Sequence, residues 1–262
     1  MWAAKKLHRS AFVSILTTLT TGVARSEAPV EPGAVTEHQT LPPVILNANR
    51  LPGDRNQPSI SIHTLNVEAL TKALPRTLPE SLESLPGVHI QKTAPGHGSP
   101  YIRGFTGNRT LSVIDGIRYN NATYRDGPNE YFSHIDTFTL SNVVLLSGPA
   151  SAVYGSEAVG GTISLETRGS GYADAANGEW FAHGRQVLRY SSGDSSLISR
   201  SAIDFGQGDV WGLRLGLSAK EFGDVRAADL GRLPNTGYNE LAWDARLDAK
   251  LGQDWTLTIA HQ

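Results

Sequence analysis

Strict alternation of apolar and polar residues marks the C-terminal third of the chain. In the clearest run the apolar positions are Trp211, Leu213, Leu215, Leu217 and Ala219. A second run has apolar residues at Leu241, Trp243, Ala245, Leu247, Ala249 and Leu251. A period of two predicts β-strands with one apolar and one polar face. Weaker runs over 185–192 and 197–206, and a further start at Trp255, bring the total to about five strands.

Two kinds of sheet show this alternation. A soluble sheet buries its apolar face and exposes the other to water, whereas a membrane barrel turns the apolar face to lipid. The clean runs reach about ten residues, the span of a tilted membrane strand. Their opposite faces carry charges such as Arg214, Lys220 and Asp248, which a watery interior accommodates. We therefore expect transmembrane strands, with a soluble sheet as the alternative.

Residues 45–167 mix short helices with short strands. Asn66 is a predicted N-cap for a helix that runs to Ala73. Thr77-Leu78-Pro79-Glu80 fits a capping box with proline in the first turn. The helix that follows carries Leu78, Leu82 and Leu85 at helical spacing and is predicted to end at Pro86-Gly87.

Short strands are expected over 59–63, 88–91, 101–103, 111–114, 117–119, 143–146 and 162–167. Asp115-Gly116 has the residues of a type I′ hairpin turn, because both positions of that turn require positive φ. Together the strands predict a small mixed sheet. With its helices, this segment is an α+β domain of ordinary size.

The N-terminus has the pattern of a secretory signal peptide. A cationic start at Lys5 to Arg9 precedes a short, uncharged, mildly apolar run from Ala11 to Thr21. Small residues then offer a cleavage site after Ala24 or Ser26. The alternative is an amphipathic helix of a cytosolic protein. The next stretch is rich in proline, glutamate, glycine and threonine, which is typical of a flexible arm.

Composition narrows the function classes. The 262 residues carry a net charge of -2, so there is no basic footprint and nucleic acid is not an expected partner. The chain has no cysteine, which excludes a disulfide scaffold, a thiolate metal site and a cysteine nucleophile. No apolar run approaches the roughly 18 residues of a spanning helix.

No catalytic site is predicted. The glycines of Tyr154 to Thr162 lack the Gly-Lys-Ser/Thr ending and the G-x-G-x-x-G spacing of nucleotide loops. The histidines are scattered without metal-ligand spacing, and the serines have no nucleophile-elbow context. Asp115 is interpreted as a turn residue beside Gly116. We expect a protein that is not an enzyme and has no catalytic residue, cofactor or metal site.

The order of motifs between Pro42 and Thr167 resembles the N-terminal part of TonB-dependent outer-membrane receptors. The matching stretches are LPPVILNANR, TLPESLESLPGVHIQ, IRGFTGNRTLSVIDGIRYNN and SGPASAVYGSEAVGGTISLET. The resemblance implies a plug domain inside a large β-barrel of about 22 strands. Such receptors bind a scarce nutrient, usually a ferric siderophore, haem, cobalamin or another metal chelate, and import it with energy from the TonB coupling protein.

The resemblance also assigns residues. The first of these stretches implies a TonB-box at Val44, Ile45, Leu46, Asn47 and Ala48, which adds as a strand to the coupling protein. Arg103, in the Ile-Arg-Gly motif, is expected to pair with barrel carboxylates. The family's usual Glu and Arg before Gly-Pro are replaced here by Val144 and Ser147, so the contact between plug and barrel is weaker or differently built. Two loops are candidates for the apex of the plug, Thr93 to Pro100 and Asn120 to Asp136. The candidate ligand contacts in them are His97, Tyr124, Arg125, Asn129, Tyr131 and His134.

These interpretations divide the chain into four parts: a signal peptide (1–26), a flexible arm with the TonB-box (27–50), a plug domain (51–167) and the start of a transmembrane β-barrel (168–262). About five strands cannot close such a barrel, so we expect an N-terminal fragment of an outer-membrane receptor in contact with lipid. The alternative function is a secreted or periplasmic binding or adhesion module that retains a plug domain without transport.

Overall fold

The computed structural model describes residues 61–73, 75–120, 127–128, 130–252 and 255–262. The predicted signal peptide, arm and TonB-box lie outside these residues. So do three of the predicted ligand contacts, Tyr124, Arg125 and Asn129.

The first part of the described chain builds a five-stranded sheet, here called the mixed sheet. Its strands are β1 (Ser61–Asn66), β4 (Thr110–Ile114), β5 (Ile117–Arg118), β6 (Leu140–Ser147) and β7 (Gly161–Thr167). The order is β1-β6-β7-β4-β5, with β4 and β7 parallel and the other neighbours antiparallel. Asp115 and Gly116 have φ of 48° and 84°, so the predicted tight turn between β4 and β5 is confirmed.

Three short α-helices accompany the mixed sheet: α1 (Val67–Ala73), α2 (Leu78–Leu82) and α3 (Ser151–Tyr154). The predicted cap of α1 is confirmed, because Asn66 Oδ1 accepts a hydrogen bond from Ala69 N at 2.9 Å. The capping box of α2 is wrong: Thr77 makes no side-chain cap, and Glu80 Oε2 accepts from Arg76 N at 2.8 Å instead. None of the described helices has the length and apolarity to cross a membrane.

The main core lies between α1, α2 and one face of the mixed sheet, whereas Tyr154 of α3 packs against the other face. Leu78 and Leu82 of α2 are fully buried in the main core, together with Leu140, Leu145, Ile163 and Leu165 from the two central strands. Burial of a leucine or isoleucine side chain contributes about 1.5–3 kcal/mol before entropy is counted. The spacing of leucines in the sequence therefore identified the main packing contact of α2.

A separate hairpin, β2 (Val88–Gln91) with β3 (Ser99–Ile102), pairs only with itself among the described strands. The sequence placed both strands in the mixed sheet and extended the second to Arg103. Arg103 and Gly104 instead have φ of 51° and 84° and form a turn that brings Phe105 back to Ile102. The left-handed turn at Arg103 ends the strand one residue early.

The rest of the described chain forms a second five-stranded sheet, here called the long-strand sheet. It contains β8 (Trp180–Ser191), β9 (Ser196–Gln207), β10 (Trp211–Phe222), β13 (Tyr238–Leu251) and β14 (Trp255–His261). All neighbours are antiparallel, in the order β14-β13-β10-β9-β8. A small hairpin, β11 (Arg226–Ala227) and β12 (Gly231–Arg232), lies in the connection between β10 and β13.

The two faces of the long-strand sheet have opposite character. On one face Leu241 and Trp243 are 72% and 56% exposed. The other face bears Arg200, Ser218 and Lys220, which are buried against the mixed-sheet part of the chain. The predicted apolar and polar faces are confirmed, and the polar face is the one that packs against protein. An α+β domain followed by antiparallel strands is therefore the architecture.

Candidate functional site

Asp136 lies in the contact between the two sheets, and its side chain is 1% exposed. It begins the 3-10 helix Thr137–Thr139, where its Oδ1 accepts from Phe138 N at 3.2 Å. The same oxygen lies 3.0 Å from Lys220 Nζ on β10. Its other oxygen accepts a hydrogen bond from the hydroxyl group of Ser218, also on β10. One carboxylate therefore joins the loop before β6 to the inner face of the long-strand sheet.

Asp136 belongs to a larger group of charges. Lys220 Nζ also contacts Glu240 Oε1 on β13 at 2.7 Å. Arg200 Nη1 on β9 lies 3.8 Å from Asp136 Oδ2 and pairs more closely with Asp244 on β13. We call Asp136, Arg200, Ser218, Lys220, Glu240 and Asp244 the buried ion cluster. It links three strands of the long-strand sheet to one point of the mixed-sheet domain.

The electrostatics keep Asp136 ionised. Burial alone disfavours the carboxylate and would raise its pKa. The positive charge of Lys220 and hydrogen bonds from Ser218 and Lys220 outweigh that effect, so the pKa of Asp136 lies below its ordinary value. Gly216 makes room for the cluster, because a Cβ there would overlap the Arg200 guanidinium and lie 2.5 Å from Asp244 Oδ1.

A second polar contact joins the sheets at the hairpin turn. Arg246 Nη1 on β13 lies 3.3 Å from Asp115 Oδ2 and donates to Thr167 Oγ1 at 2.6 Å. Asp115 also accepts from Thr167 N at 2.8 Å. The predicted turn residue therefore has a role that the sequence did not reveal. Nearby, Ser170 Oγ donates to Asp248 Oδ2 at 2.8 Å and extends the contact along β13.

A third contact borders a cavity of about 660 Å³, here called the polar cavity. Arg76 Nη2 pairs with Asp194 Oδ2, in the β8–β9 turn, at 3.0 Å. Lys92 bridges Glu80 Oε1 at 3.1 Å and Glu83 Oε2 at 3.2 Å. Partial burial would lower the pKa of Lys92, but the two glutamates outweigh it and raise that pKa. The cavity wall thus presents cations and anions in close pairs.

Two loops that the sequence proposed for ligand contact lie side by side. Gly98 N donates to Ser133 Oγ at 2.9 Å, which ties the loop after β2 to the 3-10 helix Tyr131–His134. His97 Nδ1 lies 3.5 Å from Glu130 Oε2, and the side chain of His97 is 51% exposed. Tyr131 and His134 are also exposed. The structure therefore brings together the elements that carry His97, Tyr131 and His134.

The ends of the second loop are structural. Asn120 is buried, accepts from Ser112 N at 2.9 Å and donates to the Thr110 carbonyl at 2.9 Å. At the other end stands Asp136 of the buried ion cluster. The sequence treated the whole loop from Asn120 to Asp136 as apical, because it shows polarity but not which polar side chains already have partners.

Arg103 is exposed and occupies the turn after β3, where its N–H donates to the Gly87 carbonyl at 2.8 Å. Within the described residues its guanidinium makes no ion pair. Its proposed contact with barrel carboxylates stays a prediction. The ion pairs observed between the two sheets use Asp115, Asp136 and Arg76 instead. The alternation in β10 and β13 placed Lys220 and Arg246 on the inner face, but nothing in the sequence pointed to Asp136 or to the partner of Arg76 in the β8–β9 turn.

Residues 54–162 match the sequence profile of the TonB-dependent Receptor Plug Domain. Among curated proteins, the chain is 31% identical over 136 residues to the vitamin B12 transporter BtuB of Vibrio vulnificus strain CMCP6, covering 51% of this chain and 22% of the relative. It is 27% identical over 165 residues to BtuB of Vibrio cholerae serotype O1 strain M66-2, covering 62% of this chain and 25% of the relative. The chain thus spans about a quarter of the length of these relatives.

Solved structures show the same fold. The copper transporter OprC matches with a TM-score of 0.62 at 18% identity, over 76% of this chain and 29% of that one. The Serratia marcescens hemophore receptor HasR, solved as a double mutant with its hemophore HasA and heme, matches with a TM-score of 0.60 at 20% identity, over 76% and 30%. At these identities the likeness concerns the fold alone.

Proposed function

Because the chain belongs to the TonB-dependent receptors, which are outer-membrane proteins, we propose that it takes part in the energy-coupled uptake of a scarce nutrient. In this proposal residues 51–167 are the plug, and residues 168–262 begin the surrounding barrel. The single observation that carries it is the inverted burial of the long-strand sheet. Its charged face packs on the plug, and its apolar face is exposed.

Inverted burial is what a lipid-facing wall requires. Leu217 and Leu241 remain 45% and 72% exposed, whereas Lys220 of the same sheet is buried. Exposure of such leucines to water does not stabilise the sheet, whereas contact with lipid does. An aromatic group at one end of the sheet supports this assignment. The ring centroid of Trp211 lies 6.0 Å from those of Trp180 and Phe205. Belts of aromatic side chains are typical of membrane–water interfaces.

Coupling is proposed to use Val44 to Ala48 as the TonB-box. An extended segment that adds to a sheet edge gains affinity from backbone hydrogen bonds and register from alternate side chains. Pro42 and Pro43 favour extended backbone just before it. The energy-coupling protein TonB is the proposed partner, and force on this segment would be transmitted to the plug.

The cargo is proposed to be a metal chelate, such as a ferric siderophore. The similar Vibrio proteins are named as transporters of vitamin B12, which is itself a metal chelate. The two adjacent loops with His97, Tyr131 and His134 supply imidazole and phenol groups, and the sequence adds Tyr124, Arg125 and Asn129. The polar cavity, with its balanced charges, offers hydrogen bonds beside the β8–β9 turn.

The test compares Ile45→Pro with Ile45→Val in cells that express the receptor. Proline removes a backbone donor and blocks strand addition, whereas valine preserves the backbone and the apolar side chain. Radiolabelled cyanocobalamin and a radiolabelled ferric catecholate serve as probes, with binding measured on de-energised cells and uptake on energised cells. We expect Ile45→Pro to bind the accepted probe normally and to import none of it.

Three results would contradict the proposal. Unchanged uptake by Ile45→Pro would place the coupling segment elsewhere. Binding without energy-dependent uptake by the unaltered receptor would favour the alternative of a non-transporting binding module, which no comparison supports. Binding of neither probe would refute the proposed chelate class for these two representatives.

A further inference from the structure

A second cavity, of about 260 Å³, lies between the β4–β5 hairpin and the inner face of the long-strand sheet. Four arginines line it: Arg118 from the hairpin, Arg168 from the end of the mixed sheet, and Arg214 and Arg246 from the long strands. We call it the arginine cavity. Arg214 stands six residues before Lys220 on β10, about 20 Å away along the strand. The carboxylates of Asp115 and Asp244 also line the arginine cavity, so it adjoins the buried ion cluster through Asp244. It shares no lining residue with the polar cavity.

Three of the four arginines have carboxylate partners. Arg118 Nη1 lies 3.0 Å from Glu157 Oε2. Arg214 makes a bidentate pair with Asp204, at 2.7 and 2.8 Å. Arg246 Nε lies 3.0 Å from Asp248 Oδ2, and its Nη1 contacts Asp115. Each of these three guanidinium groups is therefore neutralised by an adjacent carboxylate.

Arg168 is the exception. Its Nε donates to the Leu140 carbonyl at 3.1 Å, and no carboxylate among the described residues pairs with it. Burial, followed by repulsion from Arg185, Arg214 and Arg200, lowers the pKa of Arg168 to about 10. Asp204 opposes this shift but is already engaged by Arg214. The guanidinium still carries its full charge at neutral pH, in a place where other cations surround it.

A partly buried guanidinium with unused donors is a strong ligand for an oxygen anion. Its planar fork matches two oxygens of a carboxylate or a phosphate, and such charge-assisted bonds are about twice as strong as neutral ones. Thr139 and Thr167 line the same cavity, but their hydroxyl protons are already donated to the Asp136 carbonyl and to Asp115 Oδ2. The free donors for an anion are therefore those of the Arg168 guanidinium. A single small group fits the volume, whereas a whole chelate does not.

We propose that the arginine cavity binds one small oxyanion, a carboxylate or a phosphate group, on the guanidinium of Arg168. The bound group would balance the charge excess and bridge the end of the mixed sheet to β10 and β13. It is either a free ion or an acidic group of a solute that passes between plug and wall. The two sources share the same chemistry and differ in their effect on uptake.

The test is equilibrium dialysis of the purified receptor with radiolabelled inorganic phosphate and, separately, radiolabelled acetate. We expect one saturable site per chain that weakens roughly 10- to 100-fold in Arg168→Gln, the loss of a charge-assisted hydrogen-bonded contact. Arg168→Lys keeps the charge but not the fork, so its affinity should fall between the two. Arg226→Gln, at an exposed position of β11 outside both cavities, should bind like the unaltered protein.

Absence of a saturable site in the unaltered receptor would overturn the proposal, as would equal binding by Arg168→Gln. If Arg168→Gln does not fold, Arg168→Lys decides, because full affinity in that variant contradicts the need for a fork. Uptake assays in cells identify the source of the bound anion. If phosphate or acetate competes with uptake of the accepted probe, the anion is a group on the transported solute. Binding without such competition indicates a free ion.

Discussion

Asp136→Asn tests whether the buried ion cluster holds the plug against the barrel wall. The substitution is nearly isosteric and keeps an oxygen that can accept from Phe138 N, so the 3-10 helix retains its cap. It removes the negative charge 3.0 Å from Lys220 Nζ. Lys220 and Arg200 then keep only Glu240 and Asp244, which are on the wall itself.

The expected loss is about 2–3 kcal/mol. Removal of one partner from a buried ion pair typically costs about 3–5 kcal/mol, because a charge is left uncompensated. We expect a loss at or below the bottom of that range, because Lys220 and Arg200 each retain a second carboxylate. At 1.4 kcal/mol per factor of ten, the plug should separate from the wall roughly 30 to 150 times more often.

Amide hydrogen exchange with mass spectrometry measures this directly, because exchange rates report the free energy of local opening. The informative peptide covers residues 137–147, which follow Asp136 into β6. Its slowest amides should exchange faster by the factor given above. Asp204→Asn is the matched control: it breaks the bidentate pair with Arg214 inside the long-strand sheet and leaves the contact at Asp136 intact.

The same cluster has a defined pH dependence. The pKa of Asp136 is lowered on folding, so its stabilising contribution is present above the unfolded pKa of about 3.9 and is lost as the pH falls through the folded pKa. Exchange corrected for intrinsic rates should be constant between pH 8 and 5. Equal protection of residues 137–147 in Asp136→Asn and Asp204→Asn would refute the assignment, and so would a loss of protection between pH 7 and 5.

Two further substitutions probe the faces of the long-strand sheet. Gly216→Ala adds a methyl group where the Arg200 guanidinium and Asp244 carboxylate lie, so we expect about 1–3 kcal/mol of overpacking and faster exchange of the same peptide. Gly184→Ala, with open space around the added carbon, is the control, and equal exchange in the two variants would contradict this prediction. Leu217→Arg places a charge on the outward face and should cost about 2–4 kcal/mol in lipid vesicles, measured by guanidinium unfolding. Leu217→Met should cost less than about 1.5 kcal/mol, and equal stability of the two variants would mean that this face is not in lipid.

Local structure was predictable because it depends on neighbours in sequence. The alternation around Trp211 and Leu241 identified β10 and β13, Asp115-Gly116 identified the hairpin, and Asn66 identified a helix cap. Thr77 shows the limit of such signals. It stands at the N-cap, but the Glu80 carboxylate bonds to the N–H of Arg76 and pairs with Lys92, which lies 12 residues further on. The capping partner was thus set by tertiary contacts.

The contact between the sheets could not be predicted, because it depends on register. Alternation places Arg200, Ser218 and Lys220 on one face, and the pairing then sets Arg200 directly opposite Ser218. No local pattern shows that Asp136, 82 residues before Ser218, accepts a hydrogen bond from the Ser218 hydroxyl group. Period-two reasoning gives the face of a residue, whereas the identity of its partner requires the position of another domain.

Val144 and Ser147 take no part in the ion pairs between the two sheets among the described residues. Both residues are buried in β6, at 4% and 2% exposure, so charges at these positions would need partners inside the plug. The acidic anchors lie outside the central strands instead: Asp136 comes just before β6, and Asp115 is at the hairpin turn. Both meet bases on the wall, Lys220 and Arg246 respectively. Because these ion pairs lie at the rims of the mixed sheet, its core stays apolar, and we expect the sheet to remain folded in Asp136→Asn.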